Sequence, residues 1–217
     1  MQNPIANPIN DLREIRSIME RSRYFLGLSG LSGIGAGIFA LIGVALTALY
    51  QWAGGGSVVF ILRSFGNTLD HPWGIQPLMF LFLNGVFVLS GAILSGIYFT
   101  QRRAQQHGQL MKDKKTYTFL FHLAVPLVVG AIFCLALIFH EQGALVAPTT
   151  LIFYGLALLN GSGYAREEVS NLGYLEVGLG LVACFFPGYG LHFWAVGFGF
   201  FHLIYGTCRF RKYDTAE

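Results

Sequence analysis

Charge is scarce in this chain of 217 residues: Asp, Glu, Lys and Arg make up 12% of it. A soluble domain carries about 25%, so the shortage excludes an ordinary cytosolic enzyme, a disordered tail and a coiled coil. Net charge is only +3, and its basic residues cluster beside apolar segments, which argues against a nucleic-acid partner. Cysteine is also sparse. Cys134, Cys184 and Cys208 show no CxxC spacing, so neither a disulfide framework nor a zinc ribbon follows, and buried, inert thiols are expected. GxSxG, HExxH, P-loop and dinucleotide fingerprints are missing.

What is present is apolar. Hydrophobic residues make up 54% of the chain, with 20 Phe, 10 Tyr and 28 Gly, and the mean hydropathy is +0.55. Aromatics and glycine are both common in membrane-spanning helices. With about 20 apolar residues needed per crossing, six spans emerge at about residues 25–49, 78–99, 117–139, 145–159, 172–186 and 191–208. Pro187-Gly188-Tyr189-Gly190 forms the turn of a tight pair between the last two. The expected fold is an all-α bundle of six transmembrane helices, arranged as three consecutive hairpins. Residues 1–23 form a cytoplasmic amphipathic segment, 24–210 the transmembrane domain and 211–217 a cytoplasmic tail.

Thirteen of the fourteen Lys and Arg lie before span one, between spans two and three or four and five, or after span six; the opposite loops hold Arg63. The positive-inside rule then places both termini in the cytoplasm, and an even number of spans agrees by putting them on one side. The first apolar run, about 25 residues, is too long for a cleavable signal. Before it, Ile9, Leu12, Ile15 and Met19 recur at helical spacing among Asp11, Arg13, Glu14 and Arg16. This pattern predicts an amphipathic helix lying on the inner membrane face or binding a partner, with Asn10 or Asp11 as its cap. In the outer loop, Val58 to Leu62 is too short to cross and should dip into the interface. Trp52 and Trp73 suit an aromatic belt.

Lipid tails offer no hydrophobic drive for helix association, so small residues that let backbones approach mark packing faces. Ser29, Gly33 and Gly37 in span one, Gly91 and Ser95 in span two, Gly178 and Gly180 in span five, and Gly197 and Gly199 in span six are such residues. They read as internal packing, with homo-oligomerisation through span one as the alternative.

The stretch LGYLEVGLGLVACFFPGYGLHFWAVGFGFFHLIYG (Leu172 to Gly206) resembles the paired-helix unit of small six-span bacterial proteins of the HdeD-like, acid-resistance-associated type. In those, a Gly-rich helix ends in Pro-Gly and a second one returns. LREIRSIMERSRYFLGLSGLSG (Leu12 to Gly33) is similar to uncharacterised inner-membrane proteins of Bacteroidetes-type bacteria. The resemblance implies a bacterial inner-membrane location and a stress-related role, and transfers no catalytic residues.

An ionisable group at membrane depth is a functional-site hypothesis by default. Glu176, His122 and His202 fall about four, five and six residues inside the cytoplasmic ends of their spans. At 1.5 Å per residue all three lie about 6–9 Å below the inner surface. They could hold a divalent metal such as Zn or relay protons, with Tyr205 one turn from His202 as a supporting donor. His140 and His192 at the outer edges make bis-histidine haem conceivable, but His122 to His140 covers about 27 Å and His192 to His202 about 15 Å, so the pairs are not level. Simple interhelical hydrogen bonds and no cofactor are the plainer expectation. Asn84 should make one interhelical hydrogen bond, and Pro126 and Pro148 should kink their helices.

The leading expectation is a non-enzymatic regulatory, stress-related or accessory membrane protein. Its partners are the lipid bilayer, a membrane or cytoplasmic protein and a second copy of itself, but no nucleic acid. A small proton-linked transporter or channel is the alternative, and an intramembrane metal-dependent enzyme the third.

Overall fold

A computed structural model describes residues 13, 29–55, 57–58, 72–106, 114–165 and 167–214. The N-terminal amphipathic segment, most of the outer loop and Arg166 lie outside the described residues. All regular structure among those described is helical. Six helices carry it: α1 (Gly30–Tyr50), α2 (Pro77–Gln106), α3 (Lys114–Phe139), α4 (Val146–Gly161), α5 (Glu167–Ala183) and α6. The last is one continuous helical run built from Gly190–Trp194, a π-helical stretch Ala195–Phe201, His202–Arg209 and a second π-helical stretch Phe210–Asp214. Four runs, Gly30–Gly54, Pro77–Arg102, Thr116–Phe139 and Gly143–Tyr164, are long and apolar enough to cross a membrane. The chain is a multi-pass membrane protein built as a helical bundle.

Several boundaries differ from the apolar runs. Among the described residues α1 starts at Gly30: Ser29 is extended (φ −70°, ψ 146°), and its side chain caps the helix by accepting from Leu31 N. α2 and α5 extend into polar sequence, to Gln106 and back to Glu167. α5 stops at Ala183, three residues short of the expected end. Pro187 and Gly188 do form the turn after it, with Gly188 at φ +98°. Pro148 sits in the first turn of α4, where a missing N–H costs nothing, so it starts that helix instead of kinking it.

Residue pairing fixes the helix directions. Gly43 meets Val88 and Asn84 while Gly35 meets Ser95, so α1 and α2 are antiparallel. Gly30 lies against Phe210 and Gly37 against Gly199, so α6 also runs against α1. α4 opposes α3 (Gly130 with Phe153, Gly161 with Phe119) and α5 (Gly155 with Gly173, Gly180 with Pro148). α4 and α6 are parallel, with Ala147 near Gly190 and Leu151 near Gly197. The directions therefore alternate along the chain, and α1 starts at the end of the bundle where α6 finishes. Although α5 and α6 are joined by a short turn, α5 packs chiefly on α4, and α6 chiefly on α1.

The buried faces follow helical periodicity. On α1 it is Gly30, Gly33, Gly37, Ala40, Gly43, Thr47 and Tyr50, three or four apart throughout. On α5 it is Val169, Leu172, Gly173, Glu176, Gly180 and Ala183. Glu176 is thus in the centre of a packing stripe. α2 and α3 instead keep long apolar rows exposed, among them Phe82, Leu89, Ile132 and Leu135, as lipid-facing helices do.

Most of the expected packing residues meet other helices of the same chain. Gly33 and Gly37 take Tyr205 and Leu203 of α6, and Gly91 receives the Phe39 ring. Ser95 lies on Gly35, Gly199 on Leu41, and Gly197 on Glu176 and Leu151. Gly178 faces open space. The thiols are less buried than expected: Cys208 is exposed, and Cys134 and Cys184 are half-buried.

Candidate functional site

Glu176, in the middle of α5, is 0% exposed, and neither carboxyl oxygen has a hydrogen-bond partner among the described residues. Room for the carboxyl comes from α6. A methyl group at Gly197 would stand 2.5 Å from both Glu176 Oε2 and Leu151 Cδ2, so glycine there leaves the space that the two side-chain ends occupy. Its ionisable neighbour is His202, 6% exposed, whose Nδ1 is 3.6 Å from Glu176 Oε1. That gap is longer than a hydrogen bond.

His202 is held from both sides. Its Nδ1 bonds the Gly197 carbonyl at 3.1 Å, and its Nε2 meets the Tyr154 hydroxyl at 2.7 Å. A carbonyl only accepts, so the proton of the first bond belongs to Nδ1. In the neutral ring Nε2 is then the acceptor, and Tyr154 O–H donates. The Gly197 carbonyl lies five residues before His202, within the π-helical stretch of α6. Single π turns inside α-helices occur often at functional sites.

Below this triad lies a second polar layer. Arg209, 3% exposed, donates from Nη1 to the Tyr205 hydroxyl at 2.9 Å. One turn further, Lys212 pairs with Glu168 of α5 at 2.8 Å where both are partly exposed. Tyr154 and Tyr205 pack against one cluster of Phe119, Leu158, Ala165, Val169 and Leu172.

Of the residues singled out in the sequence, Glu176 and His202 do come together. Tyr205 lies one turn away and bonds Arg209. His122 is elsewhere: its ring stacks on Tyr164 with centroids 5.0 Å apart. Among the described residues no three His, Cys, Asp or Glu side chains converge into a metal-binding group. The expected ligand set of His122, His202 and Glu176 therefore does not form, because His122 faces the end of α4 and the turn after it. His140 is exposed beyond α3, and His192, also exposed, is in the first turn of α6.

Each of the three is also farther from its helix end than the apolar boundaries suggested, since α3, α5 and α6 extend into polar sequence. Glu176 is nine residues in, about 14 Å at 1.5 Å per residue. His122 is eight residues in, about 12 Å. His202 is twelve residues from Asp214, about 18 Å.

His122 contributes through its backbone. Pro126 inside α3 has no N–H to give the carbonyl four residues back, which is that of His122. Asn160 Nδ2 of α4 donates to this oxygen at 2.7 Å, the kind of rescue by a neighbouring helix that lipid demands. Asn84 makes two bonds where one was expected, to Gly43 O and Thr47 Oγ1, both at 2.9 Å.

Sequence reasoning missed Tyr154, Arg209 and Asn160. A hydroxyl-bearing aromatic within span four and an amide opposite a proline-freed carbonyl are signals, but only helix pairing says which residues they meet. No family model, curated protein or solved structure matches this chain.

Proposed function

We propose that this is a non-enzymatic regulatory or stress-related protein of a bacterial inner membrane, with both termini in the cytoplasm, whose working element is a proton-binding centre of Glu176, His202 and Tyr154. The observation that carries this reading is the Glu176 carboxyl, buried with both oxygens unbonded and 3.6 Å from His202 Nδ1. Ionisable residues at such depth are expensive and mark proton or ion chemistry. The orientation rests on the skewed distribution of Lys and Arg. The stress-related role rests on the resemblance of residues 172–206 to acid-resistance-associated six-span proteins. Residues 1–23 are the segment we assign to an inner-leaflet or protein partner.

The test is a pH titration of the detergent-purified protein followed in the carboxyl region of the infrared. One carboxyl band should change with pH and be absent from Glu176→Gln, with helix content unchanged. No pH-dependent band would end the reading.

A proton-linked transporter or channel is the second reading. It is favoured by the π-helical stretch beside His202 and by the slender contact of α5 with α6, which leave α6 room to shift. Proton flux into liposomes that Glu176→Gln abolishes would put this reading first.

A further inference from the structure

The titratable groups around Glu176 are distributed to one side of it. Towards the end where α4 begins, α4, α5 and α6 carry no Asp, Glu, Lys or Arg, and the buried polar side chain there is the Thr149 hydroxyl, 6% exposed. Leu151 (0% exposed) and Pro148 are fully buried on α4, and Gly180 and Ala183 follow Glu176 on the same stripe of α5. His192 and Tyr189 lie at that far end, exposed, and Phe193, Trp194, Ala195 and Val196 fill α6 between His192 and Gly197.

Towards the other end, α4, α5 and α6 each supply a titratable group. α4 gives Tyr154, α6 gives His202, Tyr205 and Arg209, and α5 itself gives Glu168, which pairs with Lys212 at the partly exposed rim. The Tyr154 and Tyr205 rings pack against the same buried cluster of Phe119, Leu158, Ala165, Val169 and Leu172, and Tyr205 accepts from Arg209. α1 presents no Asp, Glu, Lys, Arg or His along Gly30–Tyr50, and the His122 ring of α3 is turned to Tyr164.

We propose that Glu176 exchanges its proton only with the aqueous phase at the Glu168–Lys212 end of the bundle, through Tyr205, Tyr154 and His202. The proposal rests on Glu176 being a proton-binding group. Inward transfer balances as follows. A proton from water at the rim reaches the Tyr154 oxygen by way of the Tyr205 hydroxyl. The Tyr154 O–H proton passes to His202 Nε2, and the Nδ1 proton passes to Glu176 Oε1. The imidazole stays neutral and changes tautomer, the carboxylate becomes a carboxylic acid, and the Gly197 carbonyl loses its donor. The last hop needs the His202 ring to turn from that carbonyl, at 3.1 Å, towards Oε1, at 3.6 Å. Release is the same sequence reversed. The centre would thus report the pH of one compartment and ignore that of the other.

The full-length protein is reconstituted in liposomes, and its orientation is read by protease cleavage of the chain after Lys212 on intact vesicles. The pH is then stepped on one side at a time while the Glu176 carboxyl band, assigned by its loss in Glu176→Gln, is followed. The band should follow the pH on the Lys212 side. Tyr154→Phe and Tyr205→Phe, which keep the rings and remove the hydroxyls, should slow the response by about a hundredfold. A band that follows the opposite side, or both sides equally, overturns the one-sided path and leaves the proton-binding centre standing. A wild-type rate in both phenylalanine variants overturns the relay. A band silent to pH on either side overturns the proton-binding centre and the path together.

Discussion

Glu176 and His202 approach to 3.6 Å across α5 and α6, yet only His202 is bonded. The two residues therefore contribute to stability with opposite sign. Removing His202 strips the Tyr154 hydroxyl of its acceptor and opens a cavity, so His202→Ala should cost about 2–3 kcal/mol. Glu176→Leu removes two buried oxygens that make no hydrogen bond, and such replacements are often neutral or stabilising; a gain of about 1 kcal/mol is expected. Steric-trapping measurements of unfolding in bilayers would read both. A loss for Glu176→Leu as large as that for His202→Ala would mean that the carboxyl makes a structural bond in the folded state.

Asn160 and Pro126 form a second energetic pair, linked through the His122 carbonyl. Asn160→Ala leaves the His122 carbonyl without its donor, and a cost of about 1 kcal/mol is expected, as for other interhelical hydrogen bonds in membranes. Pro126→Ala restores an N–H four residues after His122, so the same Asn160→Ala change should cost little in that background. Additive losses in the double-mutant cycle would show that Asn160 stabilises by another route.

The six helices, four of them long and apolar enough to cross a membrane, were legible because a crossing demands about 20 apolar residues whatever the neighbours are. The helix ends were less so. Ser29, Glu167 and Gln106 are set by capping and by polar residues that continue a helix past its apolar run. The candidate site was half legible. Glu176 and His202 declared themselves by rarity, as ionisable residues in apolar sequence. Tyr154 did not, because one tyrosine among ten carries no mark of its partner. The same limit misled for His122, where equal depth said nothing about which way the ring faces around α3. Gly33 and Gly37 could be recognised as a packing face, but whether α6 or a second copy fills that face depends on tertiary contacts.

That face gives a third prediction. Gly33 lies under the Tyr205 ring and the Gly206 backbone, and Gly37 under Leu203 and the Gly199 carbonyl. Gly33→Leu should force α6 off α1 and destabilise the fold by about 1–3 kcal/mol or more. Light scattering of the detergent-solubilised protein should show its oligomeric mass unchanged. A variant as stable as the wild type that loses a dimer would place the face between copies instead.

Orientation yields the last prediction, and it bears on the one-sided path. Trp52, 88% exposed, follows α1 at the end of the bundle opposite Lys212. With thirteen of fourteen Lys and Arg predicted on the inner side, the positive-inside rule puts Trp52 outside. In a background with Cys134, Cys184 and Cys208 replaced by alanine, Trp52→Cys should react with a membrane-impermeant maleimide on intact cells. A cysteine introduced at Lys212 should react only after lysis. The opposite pattern would invert the topology, and Glu176 would then answer to the outer pH, because the Tyr154–Tyr205–Arg209 layer is fixed to the Lys212 end whichever way the bundle is inserted.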